Sequence, residues 1–236
     1  MHINQTFEWF RCPNGYEIFD SDGDDEAPWT DLRPLSDNTE KIFPFVEKGA
    51  DVLLQFASIR NDEDVLFFVD EFGPLEAPGR TAINTENSVL NFQYQVDMIS
   101  TVLREYAESV SLPEGKRRNE ILDRLKNHFN PIWEWAVTTD SPEMVFVDGK
   151  PVLRHTPSDL KSALWLELIE LMQLQIIYLQ CAESSCRKWF RPKRRKKSNA
   201  EHSFCCKDHR TQFSNRKQRE LKRKEAQYGD EYVREL

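Results

Sequence analysis

Four of the chain's five cysteines, Cys181, Cys186, Cys205 and Cys206, fall within 26 residues, with His202 and His209 beside them. In a reducing compartment a cluster this dense points to metal ligands before it points to disulfides. Cys181 and Cys186 enclose Ala-Glu-Ser-Ser, and three residues separate Cys205 from His209. Each short pair supplies two ligands from one tight turn, and three thiolates with one imidazole form the closed tetrahedral set that structural zinc uses. The expected site is therefore zinc held by Cys181, Cys186, Cys205 and His209, with Cys206 and His202 as the neighbours able to replace a ligand.

The 18 residues between the pairs predict a small hairpin. Lys188 to Arg191 run outward, a turn lies near Lys197 to Ala200, and His202, Ser203 and Phe204 return. Trp189, Phe190 and Phe204 are its expected core. A unit this small buries too little surface to fold alone, so metal binding has to supply much of its folding free energy. Cys12 stands apart and is expected in a core.

Charge is segregated along the same boundary. Residues 181–224 carry sixteen Lys and Arg against Glu183, Glu201, Asp208 and Glu220, a net +12, in a chain whose total is -8. Between the ligand pairs lie Arg191, Lys193, Arg194, Arg195, Lys196 and Lys197, and after His209 come Arg210, Asn215, Arg216, Lys217, Arg219 and Arg223. A helix is expected from about His209 to Gln227. It would place Arg216, Arg219 and Arg223 on one face and turn Phe213 and Leu221 toward the finger. Such a surface neutralises phosphates and releases their counterions. Asn215 and Arg216 also have the bidentate geometry that reads adenine and guanine. These residues are the expected nucleic-acid-binding set, with DNA ahead of RNA. The alternatives are a solvated charged face, and docking of the basic segment on an acidic protein partner or on residues 1–180, which carry -17.

The remainder predicts an α+β fold with a mainly helical N-terminal domain over residues 1–155. Strand-like aromatic pieces such as Thr6 to Phe10 and a turn at Pro13-Asn14-Gly15 come first. Helical periodicity follows from Ala50 to Ile59 and from Val65 to Phe72, with Gly73-Pro74 as a stop. Apolar spacing of three and four predicts a helix over Ser88–Val110 and another over Arg117–Trp135, which Pro131 should end or kink. Met144 to Leu153 predict a hairpin turning at Asp148-Gly149. A connecting helix is expected over about Ser158–Leu179, within residues 156–180, capped by Ser158 and running directly into Cys181. The finger and its basic helix then occupy 181–228.

Catalytic constellations are wanting: there is no glycine-rich phosphate loop, no Gly-x-Ser-x-Gly and no His-Glu-x-x-His. No enzymatic activity is expected. The alternation Asp20-Ser-Asp22-Gly-Asp24 has glycine off the sixth loop position and Asp31 where a calcium loop needs glutamate, so a solvated loop is expected there. His2, His128 and His155 lack a supporting pattern. No apolar run is long enough to span a membrane, and Met1 to Gln5 lack the features of a secretory signal. A cytoplasmic protein without membrane contact is expected.

The order helix, Cys181-Ala-Glu-Ser-Ser-Cys186, a nearby aromatic, Phe204-Cys205-x-x-x-His209-Arg210 and a basic helix resembles the CGNR-type zinc finger of bacterial proteins. In that family the finger closes a chain whose N-terminal part is an ABATE domain. Asp51-Val-Leu-Leu-Gln-Phe-Ala and Phe72-Gly73-Pro74-Leu75 resemble that domain's early helices. The Cys-Gly-Asn-Arg tetrapeptide itself is replaced here by His209-Arg210-Thr211-Gln212. The resemblance implies a zinc-dependent, DNA-binding transcription regulator, associated with stress responses. Its N-terminal domain would sense a ligand, a partner or its own homodimer mate.

Overall fold

A computed structural model of the chain describes residues 7–21, 29–45, 50–76, 89–139, 143–147, 150–154, 157–186, 188–192 and 202–228. The fold is α+β and mainly helical, with small antiparallel sheets of two strands each. The chain divides into two compact units, Met1–Ile177 and Tyr178–Leu236.

The first unit opens with β1 (Trp9–Arg11), β2 (Tyr16–Ser21), β3 (Trp29–Pro34) and β4 (Glu40–Ile42), where β1 pairs with β4 and β2 with β3. Gly15 turns the chain between β1 and β2 with φ of 87° and donates its N–H to Cys12 O at 3.1 Å. Cys12 is buried, as expected of an isolated cysteine. Helices α1 (Asp51–Phe56), α2 (Asp62–Phe72), α3 (Val89–Ser111) and α4 (Lys116–Thr139) follow, then the hairpin β5 (Glu143–Val147) and β6 (Lys150–Arg154), and finally α5 (Leu160–Gln173).

The core forms where the apolar stripes of α1, α2, α3 and α5 meet, because each helix repeats its large side chains at spacings of three and four. Phe56, Phe68 and Phe92 are buried, with ring centroids 5.1 Å apart for Phe56–Phe68 and 6.1 Å for Phe56–Phe92. Leu160, Leu164 and Leu168 of α5 are buried. The α2 helix stops where predicted. Gly73 takes φ of 82°, and a Cβ there would stand 2.3 Å from Phe10 O, which only glycine avoids. Beside it Trp9 Nε1 donates to Pro74 O at 2.9 Å, tying β1 to the end of α2.

Three expectations need correcting. Of the two outcomes expected at Pro131, an end or a kink, the end is overturned: helix α4 continues through it to Thr139, and the proline removes one N–H from the hydrogen-bond ladder. The cap of α5 is Asp159, whose Oδ1 accepts from the N–H of Ser162 at 2.7 Å, and Ser158 is not the capping residue. Helix α5 ends at Gln173, short of Leu179, and does not run into Cys181. Its end carries the paired bonds of a Schellman turn: Ile176 N–H donates to Leu171 O at 2.9 Å and Gln175 N–H to Met172 O at 3.1 Å. Gln175 supplies the left-handed residue with φ of 54°, a place that glycine usually takes. The register Val147↔Lys150 agrees with a two-residue connection in the β5–β6 hairpin, although 148 and 149 themselves lie outside the described residues. So do residues 22–28, which include most of the acidic stretch.

Candidate metal centre

Residues 178–236 form the second unit. Two short strands, β7 (Leu179–Gln180) and β8 (Trp189–Phe190), pair antiparallel with Leu179 opposite Phe190 and Gln180 opposite Trp189. The chain between them is a tight knuckle. Cys181 N–H donates to Lys188 O and Cys186 N–H to Glu183 O, both at 2.9 Å. The partner of β8 is therefore β7, and not the returning segment 202–204. That segment meets the knuckle through a bond from Ala182 N–H to Ser203 O at 2.7 Å. Such a bond suits a chain that passes the knuckle once without forming a ladder with β8.

The long helix α6 (Lys207–Tyr228) begins beside this knuckle and spans nearly the range anticipated. Cys205 precedes it and His209 stands in its first turn, so the helix itself sets their spacing. Trp189 is buried, while Phe190 and Phe204 are partly exposed. Phe213 adds to this core with its ring centroid 5.2 Å from Phe204 and 4.6 Å from His202. Leu221, expected to turn inward, is exposed.

One ligand atom from each of Cys181, Cys186, Cys205 and His209 lies within 4.8 Å of the other three. Cys186 Sγ and Cys205 Sγ are 3.7 Å apart, and His209 Nδ1 is 3.1 Å from Cys205 Sγ and 3.7 Å from Cys181 Sγ. A tetrahedral ion with metal–sulfur bonds of about 2.3 Å has sulfur–sulfur edges of about 3.8 Å. The cluster is thus close to the size of a metal coordination shell, and far too open for a disulfide, whose sulfurs lie at about 2.05 Å. All the cysteines are free thiols. The four residues can hold a metal ion.

Electrostatics agree with that geometry. The Cys205 thiol is pushed up to about 12, first by burial and then by the neighbouring Cys186 and Cys181. Burial also opposes ionisation of Cys181, but backbone hydrogen bonds from Cys205 and Glu183 and the side chains of His209 and Cys205 outweigh it and lower its pKa. Thiols crowded in this way resist ionising together, and a divalent cation among them reverses the preference.

Glu183, inside the knuckle, is a residue that the sequence did not single out. It is buried, with only 2% of its surface exposed, and it pairs with Arg216 Nη1 on α6. The same nitrogen donates to Ser184 Oγ at 2.9 Å, and the guanidinium lies 5.4 Å from the centre of the Phe213 ring. Burial alone would raise the Glu183 pKa; the hydrogen bond and charge of Arg216 hold it below the usual range. Its second oxygen, Oε2, is buried with no hydrogen-bond partner among the described residues. A carboxylate among only four acids in a segment of sixteen Lys and Arg was the available sign that one of the arginines has an internal partner.

The other expected site residues are distributed as follows. Arg191 follows β8 and is exposed, and Lys193, Arg194, Arg195, Lys196 and Lys197 lie outside the described residues. Arg210, Asn215, Lys217, Arg219 and Arg223 are exposed on α6, whereas Arg216 is turned toward the knuckle. Cys206 is exposed, and His202 Nε2 lies 3.5 Å from Lys217 Nζ, so neither belongs to the close four-atom set. Among the described residues no helix is long and apolar enough to cross a membrane. Compared with protein families and with curated proteins, the chain matches none.

Proposed function

We propose that the second unit is a zinc finger that presents α6 to duplex DNA, and that the protein is a transcription regulator working through this contact. The observation that carries the reading is the Cys3His cluster at the root of the helix. Three soft sulfur donors and one imidazole favour zinc over magnesium or calcium, which prefer oxygen. Zinc bound there would fix the start of a basic helix to a small hairpin, and a rigid cationic rod of that kind suits phosphate contact. The resemblance to the CGNR-type finger supports the same reading. By that resemblance the N-terminal unit is an ABATE-like regulatory body.

The test is an electrophoretic shift of random-sequence duplex by the full chain across a salt series. Affinity should fall steeply, with a log–log slope of about -0.9 for each phosphate neutralised. A chelator, or Cys181→Ser, should abolish the shift together with bound zinc. Absence of duplex binding at low salt would overturn the proposal in favour of an acidic protein partner, and stronger binding to RNA would overturn the choice of DNA.

A further inference from the structure

The side of α6 that meets the knuckle is fixed at three successive points. His209 Nδ1 approaches the sulfurs, Phe213 packs on Phe204, and Arg216 Nη1 pairs with buried Glu183. These residues are spaced four and three apart, so they form one line along the helix. Three anchors on one line leave the helix little freedom to rotate about its axis. What the opposite side carries is therefore decided by the fold as well as by composition.

At about 100° per residue, Thr211, Asn215, Gln218 and Lys222 form a second line, roughly 160° around the helix from the anchored one. All four are exposed. The side chains of Asn215, Gln218 and Lys222 make no hydrogen bond or ion pair among the described residues. Thr211 Oγ1 bonds back to Lys207 O at 3.2 Å. Exposed cations occupy both flanks of the helix between this ridge and the anchored line, Arg210, Lys217 and Lys224 on one side and Arg219 and Arg223 on the other, while Asp208 and Glu225 lie closer to the ridge. Three uncharged amide and hydroxyl side chains and one lysine along the exposed side, with cations on both flanks of the helix, are not what a uniformly solvated helix needs. They match a groove whose floor displays base edges and whose two walls are phosphate strands.

We infer that α6 enters the major groove of B-form DNA with Thr211, Asn215 and Gln218 toward the bases, and that this ridge confers preference for A·T pairs. The inference rests on the reading of α6 as a DNA-binding helix and adds which groove, which residues and which bases. A helix about 10–12 Å across fits a groove about 12 Å wide. The major groove of A-form RNA is too deep and narrow for side chains to read. Asn and Gln are the bidentate partners of adenine N6 and N7, and a threonine methyl packs on the thymine methyl. Lys222 stands one turn beyond, where it can donate to guanine. From Thr211 to Lys222 the helix rises about 16 Å, the length of about five base pairs. Arg216, by contrast, is a positioning residue: it holds the rotation of the helix through Glu183.

The experiment is selection of duplexes from a random library by the full-length zinc-loaded protein. It is followed by affinities of wild type, Asn215→Ala, Gln218→Ala, Arg210→Ala and Arg223→Ala for the selected and for random duplex. The expected selection is a core of about five base pairs rich in A·T. Asn215→Ala and Gln218→Ala should each weaken the selected duplex about tenfold more than the random one, the effect of losing a bidentate base contact. Arg210→Ala and Arg223→Ala should weaken both duplexes equally. Unchanged zinc content and circular dichroism show that each exposed-site variant is folded. If wild type binds random duplex but selects no sequence, or if the Asn215 and Gln218 variants keep full preference, the ridge inference is overturned while DNA binding stands. If no duplex is bound at all, both readings fall.

Discussion

Removing the guanidinium of Arg216 would leave Glu183 as a buried carboxylate without its cation, the costly way to break such a pair. Arg216→Ala should therefore loosen α6 from the knuckle. Its amides beyond Arg216 should exchange hydrogen about tenfold faster, since hydrogen bonds to charged groups contribute on that scale. Arg216→Lys should recover part of the protection, having the charge but not the planar fork. An exchange pattern identical to wild type would show that the pair does not hold the helix. At the other end of the chain, Tyr16 OH accepts the Cys12 N–H at 2.9 Å, and burial raises its pKa to about 12 from the ordinary 10. A raised pKa means that the folded state holds the proton more tightly. The associated stability is fully present below pH 10 and is lost as pH climbs toward 12. Denaturant titrations across that window should show the loss in wild type and a smaller one in Tyr16→Phe. The four residues that can hold an ion were legible at this scale because the spacing within each pair is local. Arg216 was assigned to nucleic acid from its type and its neighbours. In the structure it pairs with Glu183, 33 positions away, a pairing that periodicity does not encode.

At the scale of elements, most helices were legible because each repeats its apolar residues at three and four, and α2 announces its own end with Gly73. The end of α5 was not. The Schellman turn there is built on Gln175, and without a glycine the apolar run through Leu179 extends the helical pattern past its real stop. A left-handed non-glycine residue costs about 1–2 kcal/mol, part of which a glycine returns as unfolded-chain entropy. Gln175→Gly should therefore stabilise the first unit by about 0.5–1 kcal/mol in urea unfolding, and a destabilisation would contradict this account of the turn. The strand pairing of the finger was missed for a related reason. The spacing allows β8 two partners, and the ladder Leu179↔Phe190 and Gln180↔Trp189, continued by the bond from Cys181 N–H to Lys188 O, gives it to β7.

For the whole molecule, composition already set an apolar segment apart from a cationic one. An apolar helical core and a cationic, cysteine-bearing end were both plain in the residues, but the cut falls between Ile177 and Tyr178, just beyond the Schellman turn. The first unit has a core of its own in Phe56, Phe68, Phe92 and the leucines of α5. Among its described residues the second buries few large side chains besides Trp189, and on the proposed reading its order depends on an ion held by Cys181, Cys186, Cys205 and His209. X-ray absorption at the zinc edge on the purified full chain tests that dependence most directly. The account predicts one zinc per chain with three sulfurs at about 2.3 Å and one nitrogen at about 2.0 Å. It predicts also that Cys181→Ser loses the ion and the order of α6 together. A shell of oxygens, a shell of four sulfurs without imidazole, or α6 remaining ordered with the ion removed would contradict it.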